Sequence, residues 1–170
     1  MKGLITLIAV VVVVGLAFFL YRTPTAPPEM TEAEKAQIEA DVMEFADSWL
    51  DAWRVEVNCD SNLPLMDPDR MAMPYDGKII NRDGWHEMCL MRSANVASAT
   101  FNWINREVRV MTPDAAVFIG SYSSTWEYRD GSPAVHVPSS STGGVVERTP
   151  DGWAWTFYSW SPGPGEEVEG

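Results

Sequence analysis

Residues Asp151–Ser161 read D-G-W-A-W-T-F-Y-S-W-S, a turn followed by large rings alternating with smaller side chains. Spacing of period two belongs to a β-strand, because successive side chains point to opposite sides of a sheet. A strand so rich in aromatic surface is stable only if most of it is covered. The segment therefore demands a sheet with a packing layer, and simple alternation places Trp153, Trp155, Phe157 and Ser159 on one side of it.

Three upstream segments carry the same signature: Ala99–Met111, Ala115–Tyr128 and Val135–Glu147. Thr112-Pro113-Asp114, Arg129-Asp130-Gly131-Ser132 and Thr149-Pro150-Asp151-Gly152 supply the turns between strands. In the second strand Phe118, Gly120, Tyr122, Ser124 and Trp126 share a face, mixing rings with small or hydroxylated gaps. Gly143-Gly144 reads as a bulge or turn and not as a phosphate cradle, since no helix follows it and no lysine adjoins it.

The region before these strands is helical in pattern. Thr31 and Glu34 form a capping box, and Ile38, Val42, Phe45, Trp49 and Trp53 follow as one apolar stripe. Asp41, Glu44, Asp47 and Asp51 fall on the opposite side and read as a solvated face. Asp67–Arg70 suits a turn, Met71–Tyr75 a short strand, and Asn81 caps a second helix through Ala94 that carries Trp85, Met88, Cys89 and Arg92 on one side. Helices first and an antiparallel meander afterwards predict an α+β domain, with the helices covering one face of a bent sheet.

Gly3–Leu20 is an uncharged apolar run of roughly 27 Å at helical rise, nearly enough to cross a bilayer. Tyr21, Arg22 and a proline-rich stretch follow it, in place of a small-residue cleavage site or a lipid-accepting cysteine. The expected organisation is a transmembrane signal anchor (residues 1–22), a proline-rich linker (23–30), the folded domain (31–162) and an acidic flexible tail (163–170). Lys2 and the terminal amine against Arg22 favour a cytoplasmic N-terminus, a single-pass topology and an extracytoplasmic C-terminal domain. Cys59 and Cys89 would then meet oxidising conditions; their spacing is compatible with a disulfide or with two buried thiols.

Twelve basic against 24 acidic residues give a formal charge of −12, which excludes a phosphate-binding surface for DNA or RNA. His86 and Cys89 have a spacing of three. Two histidines and two cysteines without C-x-x-C or H-E-x-x-H predict no metal site, and no cofactor is expected. Ser121, Ser123, Ser124 and Ser139–Ser141 lack a G-x-S-x-G elbow and read as a wet sheet face. His136 in V-H-V faces opposite to Val135 and Val137, an orientation compatible with a pocket or with the outer surface.

Four segments carry a resemblance: D-S-W-L-D-A-W ending the first helix, R-D-G-W-H-E at Arg82, V-R-V-M-T-P-D-A-A-V-F-I-G at Val108, and D-G-W-A-W-T-F-Y-S-W-S. Over Met30–Ser161 the chain resembles the nuclear-transport-factor-2-like superfamily, in its SnoaL-like and ketosteroid-isomerase-like branch. The resemblance implies a cone-shaped fold with a pocket between curved sheet and helices. It also implies dimerisation through the sheet, and activities that range over isomerases, cyclases, dehydratases, binding proteins and scaffolds. The carboxylate base of the isomerases has no counterpart at a recognisable position. Ser159 stands where related domains often carry a pocket-facing histidine.

These readings name Trp49, Tyr122, Trp126, His136 and Ser159 as ligand-binding candidates, with His136 the one residue nominated for proton transfer. The expected function is a membrane-anchored domain that binds a small apolar molecule in an aromatic-lined pocket. A SnoaL-like isomerase, cyclase or hydratase is the alternative, and a dimeric scaffold at the membrane is the second alternative.

Overall fold

The computed structural model describes residues 29–53 and 58–168. The expected anchor and most of the linker, residues 1–28, lie outside the described residues, and among the described residues no helix is long and apolar enough to cross a membrane.

Helix α1, Glu32–Asp51, begins as its sequence dictates. The Thr31 side chain accepts from the Glu34 amide, and the Glu34 carboxylate accepts from the Thr31 amide at 2.7 Å, so two otherwise unpaired N–H groups are satisfied. Ile38, Val42, Phe45, Ala46, Trp49 and Leu50 are its buried residues. Asp47 is not merely solvated as the acidic face suggested. It accepts from Trp103 Nε1 at 2.8 Å and pairs with Arg106 at 2.6 Å, fastening α1 to the sheet. Two short elements follow, α2 (Cys59–Asn62) and a single 3-10 turn (Leu63–Leu65).

A hairpin comes next, β1 (Met73–Tyr75) and β2 (Lys78–Ile80). Asp76 and Gly77 between them both have positive φ, at 48° and 72°, the backbone that a two-residue Asp-Gly hairpin turn requires. Helix α3, Arg82–Ser93, starts where the Asn81 side chain accepts from the Gly84 amide, and it buries Trp85, Met88 and Cys89. Cys59 and Cys89 form a disulfide, with their Cα atoms 5.9 Å apart, and it ties α2 to α3.

The main sheet is an antiparallel meander of β3 (Val96–Thr112), β4 (Ala115–Tyr128), β5 (Val135–Thr149) and β6 (Gly152–Ser161), in the order β3-β4-β5-β6. The short β7, Glu166–Glu167, pairs with the start of β5. Residues 163–168, expected as part of a flexible tail, are thus placed against the sheet, with Val168 N donating to Ala134 O at 2.8 Å.

Register shifts bend the sheet. They occur three times between β3 and β4, and again between Tyr122 and Ser124 of β4 and between Val145 and Val146 of β5. An extra residue on one strand tightens local twist and turns the strand, which makes one face concave. Pro138 lies within the β4–β5 irregularity, the kind of place in a sheet that tolerates a missing N–H. The core fills this concavity. Trp155 packs on Phe45, Trp49, Phe118 and Tyr158 with ring centroids 5.3 to 6.0 Å apart, all tilted or edge-on. Such pairs contribute about 0.5–1.5 kcal/mol each beyond the area they bury.

Candidate functional site

The core does not fill the whole concavity. At the end of the sheet beyond Trp155 a cavity of about 350 Å³ remains, walled by α1, α3 and the concave face of β3–β6. That volume lies near the lower end of small-molecule sites, roughly 300–1,000 Å³. Trp49, Trp53, Trp85, Phe101, Trp126 and Trp160 give it ring walls, and Met73, Met88, Val96 and Val137 add aliphatic surface.

Its polar groups are almost all neutral. Tyr158 accepts a hydrogen bond from Trp49 Nε1 at 3.3 Å, and Ser124 Oγ accepts one from Trp126 Nε1 at 2.9 Å. Burial pushes the Tyr122 phenol far up from its ordinary value, with the neighbouring Tyr158 adding to the effect and contacts to Trp160 and Ser140 opposing it. Burial likewise raises the Tyr158 phenol, against hydrogen bonds from Thr142 and Trp49. Both hydroxyls are neutral at neutral pH, where they donate and accept hydrogen bonds. Among the described residues no Asp, Glu, His or Lys lines the cavity, and its one charged lining residue is Arg92 at the end of α3.

The C-terminal strap completes the wall. Pro162 and Gly165 line the cavity, and Gly163 N donates to Ser140 Oγ at 3.4 Å. A Cβ on Gly163 would stand 1.9 Å from Ser139 O, so the strap approaches β5 this closely only with glycine at that position.

Three of the residues expected to bind a ligand line the cavity: Trp49, Tyr122 and Trp126. The other two do not. His136 pairs with Thr125 in the register, its Nδ1 lies 3.0 Å from Thr125 Oγ1, and its flanking residues Val135 and Val137 are the ones that line the cavity. The V-H-V alternation thus turns His136 to the convex face, away from any pocket chemistry. Ser159 fails for a different reason. Val145 pairs with Phe157 and Val146 with Trp155, so Thr156 is an inserted residue and reverses the facing of everything after it. Trp155 is 1 % exposed and Phe157 38 %; beyond the insertion Tyr158 and Trp160 face the cavity, while Ser159 is exposed.

The same effect hid Ser140. The β4–β5 irregularity brings both Val137 and Ser140 inward, so two of the six serines read as a wet face, Ser124 and Ser140, are buried and line the cavity. Pro138 was the available signal, because a proline inside a strand marks a break in alternation. Elsewhere, His86 Nε2 lies 2.8 Å from Asp60 Oδ1, Cys89 is consumed by its disulfide, and no cluster of potential metal ligands occurs among the described residues.

No family model matches the chain, and no curated protein matches it in sequence. Solved structures do resemble it. A nuclear transport factor 2 superfamily protein from Salmonella enterica serovar Typhimurium superimposes with a TM-score of 0.66 at 15 % identity, over 80 % of this chain and 99 % of that one. Hexachlorocyclohexane dehydrochlorinase LinA-type3 from Novosphingobium barchaimii gives 0.68 at 10 % identity, over 82 % and 96 %. A protein provisionally named scytalone dehydratase from Novosphingobium aromaticivorans gives 0.70 at 8 % identity, over 83 % and 93 %. Identities this low speak to architecture and not to activity. The helix-covered, bulged meander and its cavity, together with these likenesses, identify the fold of the chain as the nuclear-transport-factor-2-like fold.

Proposed function

We propose that this chain is a small-molecule-binding domain whose cavity holds a compact apolar molecule of one or two rings. One observation carries the reading: the cavity is walled by rings and aliphatic groups, and its interior polar groups are neutral hydroxyls. Burying apolar ligand surface there supplies affinity at roughly 25 cal/mol per Å², and Tyr122, Ser124, Ser140 and Tyr158 are placed to orient a single polar substituent. The apolar run Gly3–Leu20 is proposed to hold the domain at a membrane, on the extracytoplasmic side. Recovery of the full chain in the supernatant after alkaline carbonate extraction would remove that part of the proposal.

Binding is tested on the full chain in detergent, by native mass spectrometry and thermal shift with naphthalene-2-methanol and indole as probes. The expected result is a one-to-one complex and a raised melting temperature. Absence of any complex or shift at saturating probe contradicts the reading.

Dehydratase and dehydrochlorinase are names of structural neighbours, and both describe eliminations that need a base to take a proton. Among the described residues the cavity of this chain presents no carboxylate or imidazole for that task, which is why binding is preferred over catalysis.

A further inference from the structure

We infer that the ligand of this cavity carries an anionic end, a carboxylate or a chemically similar oxyanion, and that Arg92 receives it at the mouth. The inference rests on the binding role proposed above and narrows its ligand class.

Arg92 follows Trp85, Met88 and Cys89 on the inner side of α3, so the helix that walls the cavity delivers the guanidinium to its rim. Two rings hold it there. Its Cζ lies 5.3 Å from the ring centroid of Tyr75 and 5.3 Å from that of Trp160, and Nε donates to Tyr75 Oη at 3.2 Å. Cation–π contact with both rings suits the guanidinium and, with the Nε bond, holds it at the rim. With Nε engaged, the Nη1 and Nη2 groups donate to no atom among the described residues, and no carboxylate among them forms an ion pair with Arg92. Arg70, Arg106, Arg109 and Arg148 each pair with an acid, and Arg129 donates to Ala94 O.

A second donor belongs to the same corner. Trp160 Nε1, on the ring over which the Arg92 guanidinium lies, is buried with the Tyr122 hydroxyl as its polar neighbour. A chain with twice as many acids as bases nevertheless presents a cation, and no acid among the described residues, to this cavity. A cation in the last turn of α3 also suits the helix dipole, but that role would be met without stacking on Trp160. An oxyanion accepts two parallel N–H bonds from a guanidinium, geometry that neither an alcohol nor an ammonium can use.

The test compares three isosteric probes on the full chain in detergent, by calorimetric titration with blanks into empty micelles subtracted. They are 2-naphthoate, naphthalene-2-methanol and 2-naphthylmethylammonium. The expected order is naphthoate tightest, by about tenfold over the alcohol, and the ammonium weakest. Arg92→Gln should bring the naphthoate-to-alcohol ratio to about one, and Arg92→Lys, which keeps charge without the fork, should retain part of it. Equal binding of naphthoate and alcohol to the unaltered chain, or an undiminished ratio in Arg92→Gln, overturns the anionic assignment while leaving the cavity reading intact. Failure of all three probes to bind overturns both.

Discussion

The two faces of the main sheet are built from the same four strands and hold different chemistry. On β4 the concave face carries Ala116, Phe118, Tyr122 and Ser124, all buried, whereas the convex face carries Val117, Ile119, Ser121, Ser123 and Thr125. The concave side has rings packed edge-to-face and hydroxyls pinned by indole N–H groups. The convex side has half-exposed aliphatics, serines and threonines, with His136 among them. The contrast supports placing the proposed ligand site on the concave side, which combines enclosed volume with donors and acceptors held in fixed positions, and sheet curvature produces that volume.

If that contrast is real, substitutions on the two faces must differ in size. The largest effect is expected for Trp155→Ala. Removing an indole that touches four other rings should cost about 3–5 kcal/mol, read by urea denaturation of the full chain in detergent. Phe157→Ala, two positions along the same strand and 38 % exposed, should cost less than about 1 kcal/mol. Comparable losses at the two positions would break the comparison. Next in size is the disulfide that ties α2 to the helix over the concave face. The Cys59→Ser, Cys89→Ser double variant should lose about 2–4 kcal/mol by the same measurement, and an unchanged transition midpoint would count against a stabilising bridge.

A smaller effect concerns the acid limb. Asp67 is 7 % exposed, and burial alone would raise its carboxyl. Hydrogen bonds from the Arg70 guanidinium and from the Arg70 and Asp69 amides outweigh that and hold it below its ordinary value. Glu147 pairs with the other side of Arg70. A carboxyl held low in the folded state contributes stability that is complete above its unfolded value near 3.9, and that is lost as pH falls through the folded value. Asp67→Asn should therefore cost about 1–2 kcal/mol at neutral pH and flatten the pH dependence of stability below about pH 4. A parallel acid limb in the variant would exclude Asp67 as its source. The smallest effects belong to the convex face, where Ser123→Ala and Ser159→Ala should change stability by no more than about 0.5 kcal/mol.

Much of this arrangement is legible in the sequence where one local rule acts without interruption. The capping box at Thr31 and Glu34 starts α1, Asn81 starts α3, and β4 keeps its alternation from Ala116 to Ser124, so Tyr122 faces the cavity side. Facing was lost where a strand gains a residue. Thr156 turns Ser159 out and Tyr158 in, and the irregularity at Pro138 turns Ser140 in. Period two determines relative facing only up to the next bulge, and bulges are placed by tertiary closure as much as by composition. The β1–β2 hairpin did have a local signal in Asp76-Gly77. Arg92 was visible as part of the inner side of α3, but its position between Tyr75 and Trp160 depends on three separated segments meeting.

The most direct test of the account is an isotope-filtered NOE spectrum of the full chain in detergent with saturating naphthalene-2-methanol. The account predicts cross-peaks from the probe to the ring protons of Tyr122, Trp126 and Tyr158. Cross-peaks to Phe157 and Ile119 on the convex face in their place, or none to any cavity ring, would contradict it.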